Sequence, residues 1–183
     1  MKKHFILIIL TICRIGDLYS TFIAGGGTLK FETSPLVRKL NFNWFGLVLF
    51  NLLLILGLFL LMNKYSENYL TKKEYKFKEY INSFSDYLSY TYFSKKLSTK
   101  ELLIKAKGID YKVFIHIFIV TLIKVIILLS FFAITNNLLI AFNQKGLLYG
   151  FYSKTFILAY FSIIIAFLFF IGYSVNRYRK LIK

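Results

Sequence analysis

VFIHIFIVTLIKVIILLSFFAITNNLLIAF, residues 113–142, carries one histidine and one lysine and no acid in an otherwise apolar run. About 20 such residues cross about 30 Å of hydrocarbon, so the stretch reads as a membrane span. A backbone in lipid must satisfy its own hydrogen bonds. No barrel-like alternation is present, so the expected structure is helical. The run is too long for one straight span. The reading therefore ends the span near residue 135, with Asn136 and Asn137 at the exit and the remainder at the interface.

Three further stretches meet the same test, at about residues 4–24, 44–62 and 155–175. The predicted fold class is all-α: a polytopic membrane protein of four transmembrane helices, with residues 1–183 as a single integral membrane domain. The first stretch also has the outline of a signal peptide, with Lys2 and Lys3 before an apolar run from Phe5 to Cys13. Phe22-Ile23-Ala24 is a poor cleavage triplet, and Arg14 and Asp17 would have no role in a discarded peptide. A retained helix is the expectation. Cys13 is the one cysteine, which excludes an intramolecular disulfide. Ile12 before it does not suit lipid attachment, and burial as a small hydrophobe is expected.

The chain is 57% hydrophobic with a formal net charge of +16. That charge does not imply nucleic acid, because the lysines sit in loops beside membrane segments, interleaved with Tyr and Phe. Anionic headgroups of the bilayer are the expected partner, together with other membrane proteins or further copies of the chain. With the N-terminus inside, seventeen basic residues fall on the cytoplasmic side and five on the other. Basic residues favour the cytoplasmic side, so both termini and the 63–112 loop are expected there, in a bacterial inner membrane. Trp44, Tyr149, Tyr152 and Tyr173 lie near span ends, as interfacial aromatics do.

The 63–112 loop reads as two helices, at least one of them basic and amphipathic. Phe77, Ile81, Phe84 and Leu88 recur at helical spacing, with Lys72, Lys73, Lys76 and Lys78 around the start. Ser98-Thr99-Lys100-Glu101 has the capping-box pattern, and Gly108 is a natural stop. Such a helix can lie on the anionic leaflet, dock a partner, or extend a span into water.

Arg14 and Asp17 are the unusual residues of the first span. With about 100° per residue and Arg14 at zero, Thr11 falls near +60°, Asp17 near −60° and Thr21 near −20°. One face holds all four, and it is expected to look into the bundle. The cheapest arrangement pairs Arg14 with Asp17. Lys124 of the third span is a second candidate partner for Asp17, at a compatible depth. A buried pair can fix helix register and do nothing else. Against that stand the third charge of Lys124, which suits an anion or lipid phosphate, and Gly25-Gly26-Gly27, whose amides can approach a ligand. A flexible exit from the membrane is the other reading of the glycines.

Asp17, three residues, Thr21, a glycine run and then Glu32-Thr33-Ser34-Pro35-Leu36 together resemble a small family of multi-span membrane proteins of unknown function. Its members pair an Asp-x-x-x-Thr helix with a Gly and Glu-x-Asn-Pro loop. The resemblance covers about Gly16 to Leu36 and the next span, and Ser34 departs from the family's Asn. It implies a bundle with a polar site near the outer face, formed by Asp17, Thr21 and Glu32. It implies no known reaction.

Asn51 is expected to make a packing hydrogen bond, and His116 to sit at the interface. No His, Cys and carboxylate cluster has metal spacing, and no Gly-x-Ser-x-Gly is present. No cofactor is expected. The function expected is a non-enzymatic component or accessory of a larger membrane assembly. The alternatives are a membrane-embedded enzyme or lipid or ion binder at Asp17, Thr21 and Glu32, and a small oligomeric transporter or pore subunit using Arg14, Asp17 and Lys124.

Overall fold

The computed structural model describes residues 3–29, 43–104, 108–142 and 154–183. Over these residues the protein is all-helical, 85% helix without strands. The helices are α1 (Lys3–Ala24), α2 (Trp44–Lys64), α3 (Glu67–Lys76), α4 (Phe84–Phe93), α5 (Thr99–Ile104), α6 (Tyr111–Ala141) and α7 (Lys154–Ile182), with one 3-10 turn at Lys78–Tyr80. Four of them, α1, α2, α6 and α7, are long and apolar enough to cross a membrane. The described chain divides into two compact units: Met1–Phe59 with Ile123–Ile165, and Leu60–Leu122 with Ala166–Lys183.

In the first unit, α1 buries one stripe: Ile6, Leu7, Leu10, Cys13, Ser20, Thr21 and Ala24. The opposite stripe, Phe5, Ile8, Ile12, Ile15, Tyr19 and Phe22, is exposed and apolar. In lipid such a face needs no protein cover, because the solvent is itself apolar. Gly16 brings α1 close to α6, where an added Cβ would stand 3.0 Å from Ile134 Cδ1.

The three glycines end α1 as a Schellman cap. Gly26 N–H donates to Ile23 O and Gly27 N–H to Phe22 O, at 3.1 and 3.0 Å, with Gly26 left-handed at φ +57°. Glycine reaches that conformation without a Cβ penalty. Trp44 Nε1 then donates to Gly27 O at 2.8 Å, and its ring lies 5.5 Å from that of Phe22. Asn43 caps α2, its Oδ1 accepting from Gly46 N–H at 2.9 Å.

The 31 residues of α6 amount to about 46 Å of helix. The expected membrane exit, Asn136 and Asn137, falls inside this continuous helix. Asn137 lies within the helix and donates to Ser20 Oγ at 3.2 Å and Thr21 Oγ1 at 3.0 Å.

The second unit holds α3–α5 around two aromatic-rich cores. Leu70, Tyr92, Val113 and Ile117 form one, and Ile81, Tyr87 and Leu181 the other. The expected helical face of Phe77, Ile81, Phe84 and Leu88 is not one helix. Ile81 is extended (φ −100°, ψ 94°), and Ser83 starts α4 by accepting from Asp86 N–H at 3.1 Å. The four residues nevertheless meet in the second core, so their apolar character records burial and not periodicity. The capping box is formed: Ser98 N–H donates to Glu101 Oε2 at 2.9 Å, and Glu101 N–H to Ser98 Oγ at 3.3 Å. Gly108 is left-handed at φ +95°. Asp110 caps α6 through Oδ1, which accepts from Lys112 N–H at 3.1 Å.

Candidate functional site

Arg14 is the centre of the polar cluster in the first unit. Its Nη1 donates to Asp17 Oδ2 at 2.6 Å, one turn further along α1. Its Nε donates to Asn51 Oδ1 of α2 at 2.7 Å, and Nη1 also reaches Ser130 Oγ of α6 at 3.2 Å. Asn51 is turned toward Arg14 by its own amide, which donates to Leu47 O at 2.8 Å. Both Asn51 and Ser130 are buried. A guanidinium has five donors in a fixed fork, and here the fork joins three helices.

The rest of the face is bonded as well. Thr11 Oγ1 donates to Leu7 O at 2.9 Å, and Ser20 Oγ to Asp17 O at 2.9 Å. Thr21 is buried and accepts from Asn137. Lys124 is half-buried on α6, six residues before Ser130. That separation is about 9 Å along the axis and about 120° around it, so Lys124 occupies another arc of the helix. Glu32 and its Glu32–Leu36 loop lie outside the described residues, as do Tyr149 and Tyr152. The structure therefore brings Arg14 and Asp17 together and places Thr21 one turn on, bonded to α6.

The glycine amides are turned inward. Gly25, Gly26, Gly27 and Thr28 N–H donate to Thr21, Ile23, Phe22 and Gly25 carbonyls. An anion cradle needs such groups pointing outward. Here they complete a helix end instead.

A second polar cluster lies in the second unit, and sequence reasoning did not find it. Arg177 of α7 donates from Nε to Glu74 Oε1 at 3.1 Å and from Nη2 to Glu74 Oε2. It also donates to Thr71 Oγ1 at 2.9 Å and pairs with Glu67. Tyr87 O–H donates to Glu74 Oε1 at 2.7 Å. Burial, then the neighbouring Glu74 carboxylate, push the Tyr87 phenol well above its ordinary value. A signal was present: Glu67, Thr71 and Glu74 recur at four and three residues, one stripe of a helix, among only eight acidic residues.

Nearby, Lys73 is buried and pairs with Asp110 at 2.7 Å, and Tyr69 O–H donates to the same oxygen at 2.8 Å. Burial raises the Asp110 carboxyl, but the hydrogen bonds from Lys73 and Tyr69 outweigh it and hold the group below its ordinary value. His116 is buried, with Nδ1 2.7 Å from Tyr65 O and Nε2 3.2 Å from Tyr173 Oη. A carbonyl can only accept, so Nδ1 carries the proton. Among the described residues no group of three or more His, Cys, Asp or Glu is placed to hold a metal ion.

Comparisons of the chain with family models, with curated proteins and with solved structures gave no match. The likeness carried by Asp17, Thr21 and the Glu32 loop therefore rests on those residues alone.

Proposed function

We propose that this protein is a non-enzymatic, multi-pass component or accessory of a larger membrane assembly. In this reading it lies in a bacterial cytoplasmic membrane with both termini and the 63–112 segment inside. The supporting observation is the bonding of Arg14 to Asp17, Asn51 and Ser130. An intramembrane charge is a functional site by default. Here its donors fasten α1 to α2 and α6, which is the work of a scaffold. The exposed apolar residues of α7, among them Tyr160, Phe161, Ile164, Phe167 and Leu168, offer a further helix face to a partner in the bilayer.

The test is complementation of a deletion strain by the Arg14→Leu, Asp17→Leu double variant, with abundance measured in the same cells. A scaffold keeps its function when both charges leave together. Loss of function at normal abundance would overturn the proposal and move the chemistry to Asp17, Thr21 and Glu32. Orientation is checked separately: a cysteine introduced at Lys95 should resist an impermeant thiol reagent in intact cells.

A further inference from the structure

The outward side of α3 differs from its inward side in charge and in chemistry. With Glu67 at zero on a helical wheel, Tyr75, Asn68, Lys72 and Lys76 fall at about 80°, 100°, 140° and 180°. All four are exposed, and Tyr75 is 65% exposed. Both acids of α3, Glu67 and Glu74, are paired with Arg177, and Lys73 is paired with Asp110. The outward arc is thus left with two lysines, a tyrosine and an asparagine. At its edge Lys112 Nζ stands 5.3 Å over the ring of Tyr69. Glu67 is exposed at 58% but is paired with Arg177, and Glu79, in the turn that follows, is the next exposed acid in sequence.

Position favours one occupant. α3 begins three residues after Lys64, the last residue of α2, which is long and apolar enough to cross a membrane. The headgroup layer adds about 5–7 Å to each side of the hydrocarbon. Lys72 and Lys76 are eight and twelve residues after Lys64, about 12–18 Å of helical rise, so the linking chain is short enough to hold α3 beside the bilayer surface. Lysines interleaved with tyrosines are the composition found at that surface: cations meet anionic headgroups and the amphipathic rings lie beside them.

We propose that the outward arc of α3, formed by Lys72, Tyr75 and Lys76 with Tyr69 and Lys112 at its edge, docks on anionic phospholipid headgroups of the bilayer that α2 crosses. The proposal rests on the membrane-spanning reading of α2 and is independent of the assembly role. Arg177 has a part in it, because without that partner Glu67 and Glu74 would set two negative charges beside the arc.

The experiment uses the full chain in lipid nanodiscs, with Cys13→Ala and a spin label at Asn68→Cys, a position between Tyr75 and Lys72 on the wheel. Discs of phosphatidylcholine alone are compared with discs that also contain phosphatidylglycerol. Anionic lipid is expected to cut collisions of the label with a soluble nickel chelate severalfold. Both Lys72→Gln, Lys76→Gln and salt at about 0.5 M should remove that protection. Equal exposure in the two discs would overturn the proposal, as would protection that survives the double substitution. So would protection conferred in neutral discs by added polyuridylate and not by anionic lipid. A second label at Leu53→Cys distinguishes the two readings. It should be open to oxygen and closed to the nickel chelate in both discs, and failure there would count against the span itself.

Discussion

Arg177 and Glu74, 103 residues apart in sequence, face each other through two hydrogen bonds, Nε to Oε1 and Nη2 to Oε2. The side chains are 13% and 4% exposed. A bidentate pair at that burial fastens the end of α7 to α3, and Tyr87 adds a third contact to the same carboxylate.

Removing one partner of a buried pair leaves the other charge uncompensated, at a cost of roughly 3–5 kcal/mol. Arg177→Met is expected to fall in that range. Arg177→Met with Glu74→Leu should recover part of it. Tyr87→Phe gives the sharper reading. In the native protein it should cost about 1–3 kcal/mol, because Glu74 loses a donor. In the double variant it should be near neutral, because the phenol no longer has an acceptor. Thermal unfolding in detergent, followed by circular dichroism and by the fluorescence of the second unit's tyrosines, gives the four values. Additive losses would mean that the three side chains do not act as a unit.

The cluster around Arg14 should rank its partners by charge and distance. Asp17→Leu leaves a cation with neutral acceptors and is expected to cost most. Asn51→Leu removes the 2.7 Å bond and should cost about 1–2 kcal/mol. Ser130→Ala removes the 3.2 Å bond and should cost less. Replacing Arg14 and Asp17 together by leucine should cost less than Asp17→Leu alone. The same detergent unfolding assay reads the order, and a Ser130→Ala loss larger than that of Asn51→Leu would contradict the geometry.

How far this was legible depends on how far apart the partners lie. Asp17 is three residues from Arg14 on one helix, so periodicity alone brings them together. The Ser98–Glu101 capping box is equally local. Asn51 and Ser130 are single polar residues in apolar runs, and nothing in either run states which helix it meets. Arg177 and Glu74 carry the same difficulty across most of the chain, although the Glu67–Thr71–Glu74 stripe was readable. At residues 77–88 the helical spacing runs through a break. Ile81 and Ser83 divide that segment, and a short apolar period looks alike whether it marks one helix or two pieces of chain in a shared core. Apolar length is the most informative signal: it marks four helices long and apolar enough to cross a membrane, and no partner is needed to read it.

The glycine cap makes a position-specific expectation. Gly26 has open space for a Cβ but a left-handed φ of +57°. Gly26→Ala should cost about 1–2 kcal/mol from backbone strain alone, and Gly26→Asn less, since Asn tolerates that region. At Gly25 an added Cβ would stand 2.0 Å from Thr28 O, so Gly25→Ala must displace backbone and should cost more than either. Unfolding midpoints of the three variants in one detergent test the order.

Acid should weaken the second unit through Asp110. Its carboxylate is held below the ordinary value of 3.8 by Lys73 and Tyr69, against the opposing effect of burial. A carboxyl whose folded value is depressed adds stability that is fully present above the unfolded value. That stability is lost as pH falls through the folded one. The contribution is therefore whole at neutral pH and begins to fail below about pH 4. Asp110→Asn keeps a side-chain oxygen to cap α6 but leaves Lys73, 8% exposed, without its carboxylate. At neutral pH this variant should be less stable by about 1–3 kcal/mol. As pH falls through the depressed folded value it should approach the native protein, which protonates the same group there. Thermal melts followed by circular dichroism across this range give both curves. A gap between them that stays constant down to the lowest pH would show that the pair with Lys73 is not what depresses Asp110.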